Sequence, residues 1–154
     1  DIFTFTSGGY KSMKFRNVNH DGSAAQANGF VDTDFPLFRA ADAYLMFAEC
    51  AKRGAASDSE GLAALNAVRE RAGLTAAASY NLQDVLDERS RELLWEGCRR
   101  SDLIRYGMFT TADYLWEYKG AAKEGAAVSD HRNLFPLPPA DINASGKLQQ
   151  NPGY

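Results

Sequence analysis

Residues 81–106 read NLQDVLDERSRELLWEGCRRSDLIRY, an apolar helical stripe that acids and arginines interrupt at fixed spacing. Asn81 can cap the start of a helix, because its side chain can accept a hydrogen bond from a free backbone N–H of the first turn. Asp84 lies in that first turn, where the helix dipole favours an acid, and Arg100 lies near the other end. The pattern predicts one helix over the whole stretch.

Arg89 interrupts the apolar face of this predicted helix. Upstream, Glu49 is the one ionised residue within residues 43–51. A charge buried alone is costly, so we expect Glu49 to pair with Arg89. Exposure of both side chains to solvent is the alternative. Arg69 or Arg71 are the alternative partners of Glu49, and Glu92 or Glu96 would complete this structural ion-pair network.

Catalytic chemistry finds little support in the sequence. Glu88, Glu92 and Glu96 suggest a glycosidase carboxylate pair, but such pairs converge across a substrate from separate positions, whereas these three are neighbours on one predicted helix. A serine hydrolase would need a G-x-S-x-G turn, which is absent from the sequence, and its base could be His20 or His131 alone. We therefore expect no catalytic residues.

A helical hairpin is predicted upstream of the opening stretch. Its first helix covers residues 36–53, with Asp34 as a possible cap, and is apolar on nearly every face. Ser57 and Glu60 have capping-box spacing for the second helix, which Gly73 ends. A short link therefore joins two antiparallel helices.

The remaining segments are less regular. Residues 1–35 combine a short alternating stretch, residues 1–6, with many Gly, Asn and Asp residues, which predicts loops and one or two short strands. A short helix is predicted at residues 110–119 and a loop at residues 120–129. The prolines from residue 136 onward favour an extended tail. The apolar residues expected to pin this tail down are Leu134, Phe135, Leu137, Ile142 and Leu148.

Composition narrows the class of protein. With 154 residues, 45% hydrophobic and 24% charged, the chain can form one domain with a real core. The net charge is −3 and the basic residues form no long block, so nucleic acid is not an expected partner. The sequence contains no apolar run long enough to span a membrane.

Metal sites are not expected either. Cys50 and Cys98 fall among apolar residues in predicted helices, where cysteine packs as a small hydrophobe; a disulfide between them is permitted but not required. Residues 17–28 imitate a calcium loop, but its twelfth position is Asn28 where a glutamate is needed. An Asn/Asp/Gly turn is the simpler interpretation. We expect no cofactor.

Four ordered motifs between residues 38 and 154 resemble one family. They are FRAADAYLMFAECAKRG, ALNAVRERAGL, the pair ERSRELLWEG and RRSDLIRYG, and the ending LFPLPPADINASGKLQQNPGY. Together they resemble the C-terminal region of SusD/RagB-type proteins, the surface glycan-binding lipoproteins of Bacteroidota. Phe35 and the residues before it carry little of this resemblance.

The resemblance implies a mostly α fold of tetratricopeptide-like helical hairpins, with an irregular segment at residues 1–35 and an extended Pro-rich tail closing a helical domain at residues 36–154. Residues 41–74 have the length of one tetratricopeptide unit. It also implies that the chain is the C-terminal part of a longer outer-membrane protein, whose lipid anchor is carried by the N-terminal part. Such a protein captures oligosaccharides or other nutrients, delivers them to a TonB-dependent transporter, and is not an enzyme. The alternative is a structural or docking domain that contacts the transporter without binding ligand.

The residues of this chain that could contact a sugar are Tyr114, Trp116 and Tyr118, which form the one aromatic cluster in the sequence. On the predicted helix Tyr114 and Tyr118 share a face while Trp116 points away, so the three would not form one platform. The resemblance implies that the glycan-contacting residues lie mainly outside this chain. We therefore expect this chain alone to bind oligosaccharides weakly or not at all.

Overall fold

The computed structural model of the protein describes residues 14–19, 21–27 and 29–154. Its described part is mostly helical, which confirms the predicted class, and its β-pairing is one isolated bridge between Val18 and Ala24. The predicted strand at residues 1–6 lies outside the described residues. The α-helices are α1 (Ala40–Lys52), α2 (Asp58–Arg71), α3 (Leu82–Glu92), α4 (Arg99–Arg105) and α5 (Pro139–Ser145).

The chain divides into two compact units, Asp1–Gly97 and Cys98–Tyr154. The first unit contains α1, α2 and α3, and the second contains α4 and α5. The boundary that the sequence places after residue 35 stays a prediction. No helix in the described part of the chain has both the length and the apolar character needed to cross a membrane.

Helix α1 begins at Ala40, so the predicted start at Pro36 and the predicted cap Asp34 are wrong. Arg39 precedes the helix in extended backbone and makes no capping hydrogen bond with its side chain. That side chain instead binds two carboxylates of the same unit, Glu92 and Glu96. The helix therefore starts where Arg39 is held.

One stripe of α1 is buried, although the sequence makes the helix apolar on nearly every face. Leu45 and Ala48 are fully buried, whereas Tyr44 and Phe47 are exposed. Cys50 is an exposed free thiol, so the expectation that it packs as a small hydrophobe is wrong and the disulfide with Cys98 is not formed. The buried stripe of α1 packs mainly against α2 and also contacts α3, which leaves the opposite side of α1 exposed.

The capping box of α2 is confirmed. Ser57 Oγ accepts from the Glu60 backbone N–H at 3.3 Å, and the Glu60 carboxylate accepts from the Ser57 N–H at 3.2 Å. Such a cap satisfies two backbone donors at the end of a helix. The core that α2 forms with α1 and α3 consists of Leu45, Ala48, Ala64, Leu65, Val68, Tyr80 and Val85.

Gly61 lets three segments of this core approach closely. Tyr80 donates its hydroxyl to the Ala48 carbonyl at 3.1 Å, directly beside the α2 backbone. A Cβ at Gly61 would lie 2.0 Å from that hydroxyl oxygen and 2.7 Å from the Ala51 Cβ. A larger residue at Gly61 would therefore displace the Tyr80 side chain.

Helix α3 starts as predicted and ends early. Asn81 Oδ1 accepts from the Gln83 and Asp84 N–H groups at 2.7 and 3.1 Å. The helix ends at Glu92, so the prediction of one helix through residue 106 is wrong. Trp95 and Gly97 adopt left-handed backbone with φ of 66° and 75°, which an α-helix cannot contain.

The second unit departs further from the sequence-based expectation. No helix forms at residues 110–119; the chain there runs through bends to a short 3₁₀ turn, Lys119–Ala121. Pro139 starts α5 inside the predicted extended tail, since proline fits the first turn of a helix. Leu137 and Ile142 are half-buried as expected, but Leu134, Phe135 and Leu148 are exposed.

Polar residues of the last segment hold the tail instead. Gln150 binds both backbone groups of Leu137, accepting from its N–H at 2.8 Å and donating to its carbonyl at 2.9 Å. Asn151 donates to the Phe135 carbonyl at 2.7 Å. Tyr154 donates to the Leu134 carbonyl at 2.8 Å. The QNPGY ending therefore fixes the backbone of the LFPL segment, which is why both belong to one motif.

Candidate functional site

The second unit contains a concave cavity of about 850 Å³ whose lining includes five Phe, Trp or Tyr side chains; we call it the aromatic cavity. Cavities of this size with apolar walls and a few polar groups are the usual form of a small-ligand site. The side chains that carry the argument below are Arg100, Phe109, Trp116, Tyr118, Phe135 and Tyr154.

Arg100 of α4 organises one wall of the cavity. Its guanidinium lies 4.4 Å from the ring centre of Phe109 and 4.1 Å from that of Phe135. Its Nη2 donates to the Arg132 carbonyl at 2.8 Å and to the Asn133 carbonyl at 3.3 Å. A cation between two aromatic faces is attracted by both rings, so Arg100 holds Phe109 and Phe135 in place.

Lys119 supports the part of the cavity lining that contains Trp116. It is buried, and its Nζ donates to the carbonyls of Thr111 and Tyr114 at 2.6 Å each. The same Nζ lies 4.8 Å from the ring centre of Trp116. Burial lowers the pKa of the Lys119 ammonium, and the nearby charge of Asp113 opposes that shift. The lysine thus fixes the irregular backbone that carries Trp116.

The backbone around Trp116 is unusually tight. Tyr118 and Ala121 adopt left-handed φ angles of 64° and 61°. Gly125 also has positive φ, and a Cβ there would lie 2.5 Å from the Trp116 carbonyl oxygen. Non-glycine residues in this conformation are strained and are held by their surroundings, often near functional sites.

The predicted aromatic candidates do not all reach the cavity. Trp116 and Tyr118 line it and are 41% and 67% exposed. Tyr114 lies outside its lining, with its ring centre 4.6 Å from the Arg99 guanidinium carbon and 6.3 Å from that of Trp116. The expectation that Trp116 points away from its neighbours is wrong, because the helix on which it rested is not formed. Whether these residues contact a ligand stays a prediction.

Sequence reasoning missed Arg100, Phe109, Phe135 and Tyr154. Tyr154 packs edge-on against His131, with ring centres 4.7 Å apart. No local pattern joins these residues, since the chain between them is irregular. The one available signal was the PGY ending, whose glycine lies against His131: a Cβ at Gly153 would be 2.6 Å from that ring.

The carboxylates of α3 and of the turn after it bind basic side chains. Glu88 binds Arg69 at 3.1 Å and Arg91 at 2.7 Å. Glu92 binds Arg39 at 2.7 Å and Arg71 at 2.6 Å. Glu96 binds Arg39 and Lys14. The side chains of all three glutamates are at least nine-tenths buried.

Glu96 receives the Arg39 fork through two bonds. Arg39 Nε and Nη2 donate to its two oxygens at 2.8 Å each. Burial alone would raise the pKa of the Glu96 carboxyl, but the hydrogen bonds from Arg39 and Lys14 outweigh it and lower the pKa below its ordinary value of 4.5. Glu96 therefore stays ionised in the folded chain at neutral pH.

Glu49 and Arg89 are both buried, as the sequence predicts. Glu49 accepts from Arg53 at 3.0 Å, and Arg89 donates to Asp42 at 2.7 Å. Arg53 and Asp42 were not among the expected partners, and each has a more exposed side chain than the group it neutralises. The direct pairing of Glu49 with Arg89 stays a prediction.

The loop residues considered for catalysis or metal binding form hydrogen bonds with neighbouring polar groups. Asp130 accepts from the Thr110 hydroxyl at 2.7 Å, and His131 Nδ1 lies 2.9 Å from the Ser129 hydroxyl. Asp21 accepts from the N–H and the hydroxyl of Ser23, which is the predicted polar turn. His20 and Asn28 lie outside the described residues. Within the described ranges, no three His, Cys, Asp or Glu residues come together as a metal site.

Residues 2–154 match the SusD family. The chain therefore belongs to the SusD family, which is a family of carbohydrate-binding proteins. This confirms the family indicated by the four motifs.

Starch-binding protein SusD from Bacteroides thetaiotaomicron is 41% identical to this chain over 155 residues. That match covers 100% of this chain and 28% of that protein, so the chain spans well under half of the relative's length.

Two solved structures share the fold. Surface glycan-binding protein A from Bacteroides thetaiotaomicron has a TM-score of 0.68 and 28% identity, over 88% of this chain and 28% of that one. The same protein in complex with laminarihexaose gives a TM-score of 0.67 and 28% identity, over 86% of this chain and 28% of that one.

Substitution of Glu49 and Arg89 tests the buried charges. If Glu49 and Arg89 pair directly, Glu49→Gln and Arg89→Met should each lower the free energy of unfolding by roughly 3–5 kcal/mol, because each substitution strands the other buried charge. If the two groups share one network, the double variant should lose clearly less than the sum of the single losses. Urea denaturation measures all three. Fully additive losses would assign the two groups to separate partners, Arg53 and Asp42.

The Glu96 carboxylate should also give stability a defined pH dependence. Because its pKa is lower in the folded chain than in the unfolded chain, it stabilises the fold above about pH 4.5 and loses that contribution as the pH falls through the folded pKa. Glu96→Gln should therefore be less stable than the parent chain at pH 7, with a difference that shrinks below about pH 4.5. Urea denaturation at several pH values provides the measurement. The exposed Glu70→Gln serves as control, and an equal pH response of the two variants would contradict the assignment.

Proposed function

We propose that the complete protein captures an oligosaccharide or a related nutrient at the cell surface and delivers it to a TonB-dependent outer-membrane transporter. Membership of the SusD family supports this proposal. So does the likeness to a protein named for starch binding and to another solved with laminarihexaose. An N-terminal lipid anchor outside residues 1–154 would hold the protein on the outer membrane.

Within this chain, we propose that the aromatic cavity of the second unit contributes a sugar contact. The observation that carries this is that two exposed aromatic residues, Trp116 and Tyr118, line the same cavity. Sugar rings have apolar faces that can be buried against such side chains, while their hydroxyl groups need polar partners at the edge. Tyr114 is the weaker candidate, because it lines an adjoining depression beside Arg99.

A docking role is the second candidate. The exposed side of α1 carries Tyr44, Met46 and Phe47, which are 43–49% exposed. An apolar helix face of this kind is typical of repeat proteins that stack against another helix or a partner. In that case the first unit would contact the transporter while ligand is bound elsewhere in the complete protein.

Tryptophan substitution separates these roles. In calorimetric titration of the complete protein with oligosaccharides that bind it, Trp116→Ala should weaken binding about tenfold, equivalent to roughly 1.4 kcal/mol, because one stacking surface is lost. Residues 1–154 alone should bind weakly or not at all, since most of the glycan-contacting surface is expected to lie outside them.

Trp95→Ala is the matched control, because Trp95 is an exposed tryptophan of the first unit. It should leave the affinity unchanged. Equal affinities for the parent protein and both variants would remove the sugar contact from this cavity. Retained copurification of the transporter without any glycan binding would favour the docking role.

A further inference from the structure

Apart from two tyrosines, the ionisable side chains that line the aromatic cavity are basic. Arg100, Lys119, His131 and Arg132 lie among its lining residues, and within the described ranges no Asp or Glu side chain does. Two acids adjoin lining residues along the chain: Asp130, which accepts from the Thr110 hydroxyl at 2.7 Å, and Glu117, which is exposed and lies outside the lining. The cavity wall therefore carries net positive charge, although the chain as a whole carries −3.

Two of these cations are already engaged. The Lys119 ammonium group donates hydrogen bonds to the carbonyls of Thr111 and Tyr114. Arg100 gives one nitrogen, Nη2, to the carbonyls of residues 132 and 133, which leaves its Nε and Nη1 donors without a partner in the described ranges. Both side chains thus contribute positive charge, and Nε and Nη1 of Arg100 can still donate hydrogen bonds to a ligand.

Arg132 is different. Its side chain is exposed and forms no hydrogen bond or ion pair with the residues that the structure describes. Its backbone carbonyl accepts from Arg100 at 2.8 Å, so the two arginines occupy the same part of the cavity wall. An anchored backbone with an uncommitted guanidinium is suited to binding a group that arrives from solvent.

We propose that this cavity prefers a carboxylated oligosaccharide, one that contains a uronic acid, over its neutral counterpart. Arg132 binds the carboxylate, the remaining donors of Arg100 add to the positive field, and the sugar ring lies against Trp116 and Tyr118. The proposal rests on the proposed function, because it names the sugar class for the same cavity.

Physical chemistry favours this assignment over a neutral sugar. Arginine offers paired N–H donors that match the two oxygens of a carboxylate, and charge-assisted hydrogen bonds are stronger than neutral ones. Low-dielectric walls such as the Phe109 and Phe135 rings concentrate the field of nearby cations on the ligand. A neutral sugar would use the aromatic surface but would leave this charge uncompensated.

The test titrates the complete protein with a galacturonic acid hexasaccharide and with the same hexasaccharide after reduction of its carboxyl groups. The acidic form should bind at least about tenfold more tightly, since hydrogen bonds to charged groups exceed neutral ones by that order. Arg132→Gln should remove this preference while leaving affinity for the reduced form within about twofold. The preference should also weaken as salt is raised, because exposed charges are screened.

Lys147→Gln is the charge-matched control, because it removes one exposed positive charge from the same unit outside the cavity lining. It should retain the preference. Trp116→Ala should weaken both hexasaccharides, which places the effect in this cavity. Equal binding of the two hexasaccharides, or equal loss in the Arg132 and Lys147 variants, would overturn the carboxylate preference and leave the proposed function standing. Failure of the complete protein to bind either these or neutral glucan oligosaccharides would instead overturn the proposed function.

Discussion

Burial of carboxylates against arginines is the interaction on which the first unit depends. Glu88, Glu92 and Glu96 lie at four-residue spacing along α3 and the turn that follows it, and each is buried. Their partners come from distant segments: Arg39 precedes α1, and Arg69 belongs to α2. A buried charge without its partner destabilises a fold by roughly 3–5 kcal/mol, so the position of α3 also fixes where α1 starts and where α2 lies.

These ion pairs also distinguish the residues that hold the fold together from the residues that we propose to contact a ligand. Arginines bind the carboxylates of Glu88 and Glu92 at hydrogen-bonding distance, and these carboxylates are neighbours on one helix instead of flanking a cleft. The open, aromatic surface belongs to the second unit, where Trp116 and Tyr118 remain exposed. Charge pairs therefore hold the first unit together, while the second unit carries exposed aromatic rings, which we propose as the sugar contact.

The two capping boxes could be predicted from the sequence, whereas the Asp34 cap, the helix at residues 110–119 and the long-range contacts could not. The caps at Ser57 and Asn81 could be predicted, because capping chemistry involves residues two or three positions apart. The end of α3 could not be predicted, because the periodic acids and arginines continue past it. The turn that follows places Trp95 in left-handed backbone. The cavity could not be predicted from the sequence either, because its residues are distant from one another along the chain. Its wall depends on Arg100 lying between Phe109 and Phe135, two rings separated in sequence by an irregular segment.

The most direct test of this account asks whether the complete protein binds a glycan without cleaving it. Oligosaccharides that give a calorimetric binding signal would be incubated with the protein for many hours, and their chain lengths then measured by chromatography. Because the buried carboxylates are committed to arginines, the account predicts saturable binding with an unchanged distribution of chain lengths. Appearance of shorter products that is lost in Glu92→Gln would contradict it, since that carboxylate would then act in chemistry and not in holding the fold.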